Sequence, residues 1–158
     1  MHLDVIDLRD FYGRPLGRVA RRLVGRAVRA CWPNVSGMTV AGLGYATPYL
    51  GQFRDEADRV LALMPAQQGV VHWPRDGKHL TGLVDEVCLP LSDSSADRLL
   101  LVHQLEAADQ MRPALREAWR VLAPGGRILI VAPNRRGMWA RGESTPFGHG
   151  TPFSRGQL

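Results

Sequence analysis

A chain of 158 residues, 45% hydrophobic and 22% charged, has the size and composition of one soluble globular domain with a real core. No apolar run approaches the roughly 18 residues of a membrane span, the acidic opening MHLDVIDLRD lacks the apolar centre of a secretory signal, and Cys31 and Cys88 stand outside any C-x-x-C spacing. A reduced, cytoplasmic chain with no membrane partner is expected; the net charge of +5, nearly all arginine with Lys78 the only lysine, fits a GC-rich genome better than nucleic-acid binding.

Leu3–Tyr12 reads as a lead-in with an aromatic pair, Phe11 and Tyr12. Leu16, Val19, Ala20, Leu23, Ala27, Val28 and Cys31 then recur at helical spacing, with Arg18, Arg22, Arg26 and Arg29 on the opposite face. The apolar stripe is expected to face the core and the arginines the solvent. A basic helix is also what RNA would meet, but no aromatic residues interleave these arginines, so nucleic acid is not an expected partner.

Pro33-Asn34 breaks the helix, and Met38–Tyr49 (MTVAGLGYATPY) follows. A short apolar run enters a turn with Gly42, Gly44 and Ala46; Thr47 stands where a helix N-cap belongs and Pro48 at the first helical position. Strand, tight glycine turn and helix make a shape that lets backbone approach a ligand and turns free N–H groups toward it. The same turn also arises for packing alone.

Pro48–Asp58 is expected to be helical, with Leu50, Phe53 and Ala57 on one face. Val60–Met64 is a solid apolar run, the mark of a strand buried on both faces. Ala66–His79 reads as irregular and Leu80–Val84 as a third strand; Asp85–Leu91 and a polar turn at Ser92–Asp97 lead to Leu99–His103, a fourth. Met111, Leu115, Ala118, Trp119 and Leu122 mark an amphipathic helix that Pro124-Gly125-Gly126 should stop, before a last strand at Ile128–Ala132. Alternating strands and helices argue for an α/β fold, a mainly parallel sheet covered on both faces. Ligands of such sheets sit beyond the carboxyl ends of the strands, so Gly42–Ala46, Met64-Pro65, Asp85-Glu86, His103–Glu106 and Pro133–Arg136 should line one crevice.

Leu89–Asn134 resembles the second half of a class I S-adenosylmethionine-dependent methyltransferase domain of type 11. The residues that carry the likeness are Leu89-Pro90-Leu91, Asp93, Asp97, Leu105-Glu106 and, most diagnostic, Glu117–Gly126 with its Arg-Val-Leu-x-Pro-Gly-Gly ending. The resemblance spans roughly Met38 to Asn134 and implies a three-layer Rossmann-like sheet with S-adenosylmethionine as cofactor. It divides the chain into a lead-in and basic helix (1–37), a cofactor-binding core (38–134) and the start of a further region (135–158). Carried over by position, it puts Gly42, Leu43, Gly44, Tyr45 and Ala46 at the methionine part of the cofactor. Met64 and Pro65 fall at the end of the second strand, and Asp85 at the adenine amine with Glu86 beside it. His103 falls next to the sulfonium and substrate, as the one candidate base, and Tyr12 at the cofactor carboxylate. Each has a structural alternative: Asp85 as a helix cap, His103 as a core histidine, Tyr12 as a core aromatic.

Three departures stand out. The family's acid two residues before the first glycine is Val40 here, and its ribose-binding acid at the end of the second strand is replaced by Leu63-Met64-Pro65. The family also continues past the fifth strand with a helix and an antiparallel strand pair, whereas this sequence stops at Leu158, as a fragment or truncated frame would. The fifth strand is then an uncovered apolar edge through which the chain could self-associate. The activity implied is methyl transfer to a small-molecule or macromolecular acceptor, with Arg135, Arg136 and Arg141 able to hold an anionic one. The alternative is a non-catalytic methyltransferase-like binding module with a degenerate cofactor site. No metal-ligand spacing links His2, His72, His79, His103, His149 and the cysteines, so no metal is expected.

Overall fold

Solid apolar runs pair into a five-stranded, all-parallel sheet in the computed structural model, which describes residues 4–134 and 146–149. The strands are β1 (Thr39–Gly44), β2 (Arg59–Pro65), β3 (Thr81–Val84), β4 (Ala96–Val102) and β5 (Leu122–Val131). Their order is β3-β2-β1-β4-β5, so the direction of winding reverses between β1 and β4. That reversal opens the crevice where doubly wound sheets bind ligands.

Alternation along the strands sorts the core into two layers. Val40, Leu100 and Val102 point into one, which is covered by α1 (Val5–Gly13), α2 (Pro15–Cys31) and α3 (Thr47–Leu50). Ala41, Leu43, Leu99 and Leu101 point into the other, closed by Ala118 and Val121 of α4 (Met111–Val121). The fold is therefore the expected three-layer α/β sandwich, with β3 and β5 as its edges among the described residues.

The helices depart from the sequence expectations in instructive ways. The lead-in is itself a helix, started by Asp4, whose side chain accepts the Ile6 N–H at 2.7 Å. A sharp corner joins it to α2, and a Cβ on Gly17 would lie 2.0 Å from the Phe11 carbonyl oxygen. Helix α2 meets the core only along Gly17, Ala20, Val24 and Val28; Leu16, Val19, Leu23, Ala27 and Cys31 of the expected apolar stripe are exposed. The helix rests on α1 and α3 by small residues, which leaves one apolar face open beside the arginine face.

Helix α3 is shorter than expected. Its N-cap is Ala46 rather than Thr47, no side chain caps it, and a 3-10 turn at Gly51–Phe53 replaces the helix beyond Leu50. Phe53 is fully buried against Trp32, ring centroids 5.9 Å apart, and the backbone keeps right-handed helical angles at Leu50, Gly51 and Arg54. In α4 the contact is carried by Ala114, Ala118 and Val121, while Met111 and Trp119 are exposed, Trp119 at 73%. Pro124-Gly125-Gly126 does not stop this helix. Strand β5 begins at Leu122 directly after it, and the Pro-Gly-Gly segment forms an irregularity where the register jumps from Ala96↔Leu122 to Arg98↔Arg127. Gly125 takes the left-handed conformation there, at φ +73°.

The diagnostic Glu117–Gly126 segment has a structural explanation. Arg120 donates to the carbonyls of Leu89 (3.1 Å) and Leu91 (3.0 Å), to Asp93 (2.5 Å) and to Glu117 (2.6 and 2.9 Å). Glu117 in turn accepts the Leu89 N–H at 2.7 Å. One guanidinium fork thus staples the loop between β3 and β4 onto α4. Arg120→Lys should lower the melting temperature nearly as far as Arg120→Ala, by about 4–8 °C, since an ammonium cannot span four acceptors. Thermal melts of the two variants check this, and wild-type stability with Lys would show that the fork is dispensable. The Glu117 carboxyl is held below its ordinary value of 4.5 by the Arg120 hydrogen bond. Its contribution is therefore complete above that pH and fades as pH falls through the lowered value.

Candidate active site

The glycine turn is where β1 meets β4. Gly44 has φ +82°, a Cβ there would stand 2.3 Å from the Val102 carbonyl oxygen, and the next N–H, that of Tyr45, donates to that oxygen at 2.8 Å. Only glycine fits such a backbone against another strand. Gly42 answers to packing: a Cβ there would meet Ala46 Cβ at 2.4 Å and Leu50 Cδ1 at 2.7 Å. Leu43 and Ala46 are wholly buried, so they shape the turn and present only backbone to a ligand.

Met64 closes the end of β2 inside the core, and the Pro65 carbonyl accepts the N–H groups of Gln68 (2.9 Å) and Gly69 (3.1 Å). This tight turn swings Gln68 under α1. Its amide donates to the His103 carbonyl at 3.2 Å and its own carbonyl accepts the Val5 N–H at 2.8 Å. Asp85 is exposed at the end of β3 and is folded into a local turn, its carboxylate accepting the Val87 N–H at 3.0 Å. Glu86 points inward, buried, where it accepts the Gln104 side-chain amide and the N–H groups of Asp109 and Gln110 ahead of α4. Burial raises its carboxyl above the ordinary value, against the pull of the Gln104 hydrogen bond.

Tyr12 and His103, far apart in sequence, are brought into one buried chain. The His103 Nε2 lies 2.8 Å from the Tyr12 hydroxyl, and Tyr12 lies 2.9 Å from the Tyr49 hydroxyl. On the other side, His103 Nδ1 lies 2.8 Å from Glu106 Oε1. In the tautomer in which Nδ1–H donates to Glu106, Nε2 accepts from the Tyr12 hydroxyl and Tyr12 accepts from Tyr49. His103 occupies the left-handed region at φ +51°, a strained place for a residue with a Cβ, and Phe147 covers its ring at 4.6 Å between centroids.

Four polar residues are thus buried at this edge around Gly44 and His103: Gln68, Glu86, Gln104 and Glu106. Of their acceptor atoms, Gln68 Oε1, Gln104 Oε1 and Glu106 Oε2 have no hydrogen-bond partner among the described residues. Gln104 Oε1 is 3.3 Å from where a Gly44 Cβ would be. Gln104 falls in the expected His103–Glu106 segment, whereas Gln68 and Tyr49 carry no motif and escaped sequence reasoning. Arg135, Arg136 and Arg141 lie outside the described residues. Tyr12 also borders a cavity of about 530 Å³, together with Tyr45, Thr47 and the link after β2.

The chain's three tyrosines, Tyr12, Tyr45 and Tyr49, all sit here. Burial holds Tyr12 well above its ordinary value, raises Tyr49, and pushes Tyr45 up to about 12 against the pull of Arg9 and Arg21. Between the ordinary value of 10 and these higher ones, the folded chain binds more protons than the unfolded chain. Stability should therefore hold up to about pH 10 and fall as pH rises beyond it. Phenolate absorbance should appear together with unfolding; phenolate growing in near pH 10 while the fold is intact would contradict this burial.

Residues 39–130, from β1 into β5, match the family model described as "Methyltransferase domain". The ubiquinone/menaquinone biosynthesis C-methyltransferase UbiE of Rubrivivax gelatinosus is 31% identical over 119 residues, 73% of this chain and 47% of that protein. The chain thus spans about half the length of the curated relative it matches. A solved methyltransferase of Thermotoga maritima, described as a possible histamine N-methyltransferase, superposes with a TM-score of 0.59 at 19% identity, over 94% of this chain and 76% of that one. A second, from Aquifex aeolicus, superposes at 0.53 with 15% identity, over 72% and 65% of the two chains. These distant likenesses speak for the fold, and the family match covers the strands and turn that build the crevice. The chain belongs to the methyltransferase domain family, the class I S-adenosylmethionine-dependent methyltransferases.

Proposed function

We propose that the chain binds S-adenosylmethionine at the carboxyl ends of β1, β2 and β4 and transfers its methyl group to a nucleophile seated beside Tyr12. The observation that supports this reading most is the set of buried acceptors without donors, Gln68 Oε1, Gln104 Oε1 and Glu106 Oε2. Unpaired buried acceptors are costly and rare. The family's cofactor brings what they lack: an ammonium group, ribose hydroxyls, an adenine amine and a sulfonium charge. The residues present therefore fit the cofactor, although Val40 and Met64 stand where the family has acids. Gln68, one turn beyond Met64, offers an amide oxygen in place of the missing carboxylate.

When bound, the cofactor supplies an electrophilic methyl group on sulfur. The protein's part is to position the acceptor and to take its proton. Held neutral by burial, Tyr12 does not act as a free phenolate near neutral pH. It relays: its oxygen takes the acceptor's proton as its own hydroxyl proton passes to His103 Nε2, and Glu106 steadies the imidazolium that forms. Phe147 and Phe11, ring centroids 4.9 Å apart, help keep water off this chain.

Calorimetric titration with S-adenosylhomocysteine tests the reading. Micromolar binding is expected, weakened about tenfold by Gln104→Leu through loss of one hydrogen bond to a buried acceptor. Absence of binding by the folded chain would overturn it and leave a non-catalytic relative. For the relay, His103→Asn keeps a residue tolerant of the left-handed backbone and should slow methyl transfer about 100-fold without changing cofactor affinity. An unchanged rate would remove His103 from the chemistry.

A further inference from the structure

The cavity that Tyr12 borders is lined by none of the buried carboxylates and has the opposite electrostatic character. Its volume is about 530 Å³, within the range of small-molecule sites. Four separate segments bring arginines to its lining: Arg9 from α1, Arg21 from α2, Arg54 after α3, and Arg75 from the link between β2 and β3. Among the described residues Asp76 is the only carboxylate on its lining. Among the described residues Arg21, Arg54 and Arg75 form no ion pair, and Arg9 pairs only with its exposed neighbour Asp10, at 3.3 Å. Two of the four are held in place: Arg21 Nε donates to the Pro48 carbonyl at 3.1 Å, and the Arg54 guanidinium lies 5.8 Å from the Trp73 ring centroid.

Aromatic surface completes the lining. Tyr12 and Tyr45 are stacked, 5.6 Å between centroids and 21° between planes, and both border the cavity together with Trp73. Arginines from four segments, largely without ion-pair partners among the described residues, favour phosphate or carboxylate, and the tyrosine and tryptophan rings offer a flat ligand a face. We infer that this cavity is the seat of the methyl acceptor and takes a ring-bearing anion, an aryl phosphate or an aryl carboxylate. The anion seat stands on the lining residues alone; its role as acceptor seat rests on the methyltransferase reading above.

The test is titration of the full chain with 2-naphthyl phosphate, with 2-naphthol and inorganic phosphate as partial ligands. The aryl phosphate should bind at least about tenfold more tightly than either, and added salt should weaken it. Arg54→Gln with Arg75→Gln should cost about tenfold or more, whereas Arg116→Gln, on exposed α4, should change nothing; circular dichroism confirms that each variant is folded. Naphthol binding as tightly as its phosphate, or indifference to the double variant, would overturn the anion seat. So would tighter binding of a single-stranded RNA through Arg18 and Arg22, which would make the surface a nucleic-acid one. 2-Naphthyl carboxylate run in parallel separates phosphate from carboxylate as the preferred head. Saturating S-adenosylhomocysteine should leave the aryl phosphate bound; mutual displacement would place the cavity within the cofactor cleft and overturn the inference. If the aryl phosphate binds through the arginines while S-adenosylhomocysteine does not bind at all, the anion seat holds and its acceptor role falls.

Discussion

The close approach of Gly44 to Val102 sets the geometry of the whole carboxyl edge. With no Cβ at Gly44, the chain leaves β1 in a left-handed turn while the Tyr45 N–H stays bonded to the end of β4. The segment after β4 must then cross over that turn, and it does so with His103 at φ +51°. Such a backbone persists only when it is held on every side. The His103 N–H donates to Val131 of β5, its carbonyl accepts from Gln68 beyond β2, and its ring is fixed between Tyr12 and Glu106. Four of the five strands and the first helix therefore depend on one strained residue for their relative placement at this edge.

Tyr12 stands at a boundary between two electrostatic environments. Its hydroxyl bonds to His103, whose other ring nitrogen meets Glu106, while Tyr12 also borders a cavity lined by Arg9, Arg21, Arg54 and Arg75. In the methyltransferase reading proposed above, carboxylates attract the cationic methyl donor and arginines an electron-rich acceptor, and the two must still meet in direct contact. The buried side is the stronger of the two, because charges there are shielded from water and salt while the arginines are mostly exposed.

The sheet was legible because parallel strands buried on both faces are written as unbroken apolar runs, as at Val60–Met64 and Leu99–Val102. The glycine turn was legible for a related reason, since the close contacts at Gly42 and Gly44 admit no other residue. The helices were less so. The apolar face of α2 that reads as core is partly solvent, because the helix seats itself by Gly17 and Ala20 rather than by Leu16 and Leu23. Hydrophobic periodicity says that a helix has an apolar side, not which part of that side another element will cover. Likewise Thr47 and Pro48 look like a helix start and are one, yet the capping position falls on Ala46, since the turn geometry imposed by β4 is reached one residue earlier.

Legibility of the site followed a different rule. The strongest family signal, Glu117 and Arg120, belongs to a staple that holds a loop against α4 and touches none of the polar residues around His103. Residues that bond to backbone carbonyls through a fixed fork leave a rigid pattern, because no other side chain reproduces the fork. Residues that offer one acceptor to a ligand do not, because Gln, Glu and Asp all supply an oxygen at similar reach. In the reading proposed above, the missing acids at Val40 and Met64 carry less weight, because Gln68 has a buried side-chain oxygen without a donor among the described residues. What the exchange does change is charge. An amide oxygen accepts a hydroxyl without the charge-assisted gain of a carboxylate, worth roughly 1 kcal/mol, so in that reading a cationic cofactor would rely on the buried Glu86 and Glu106 for its charge.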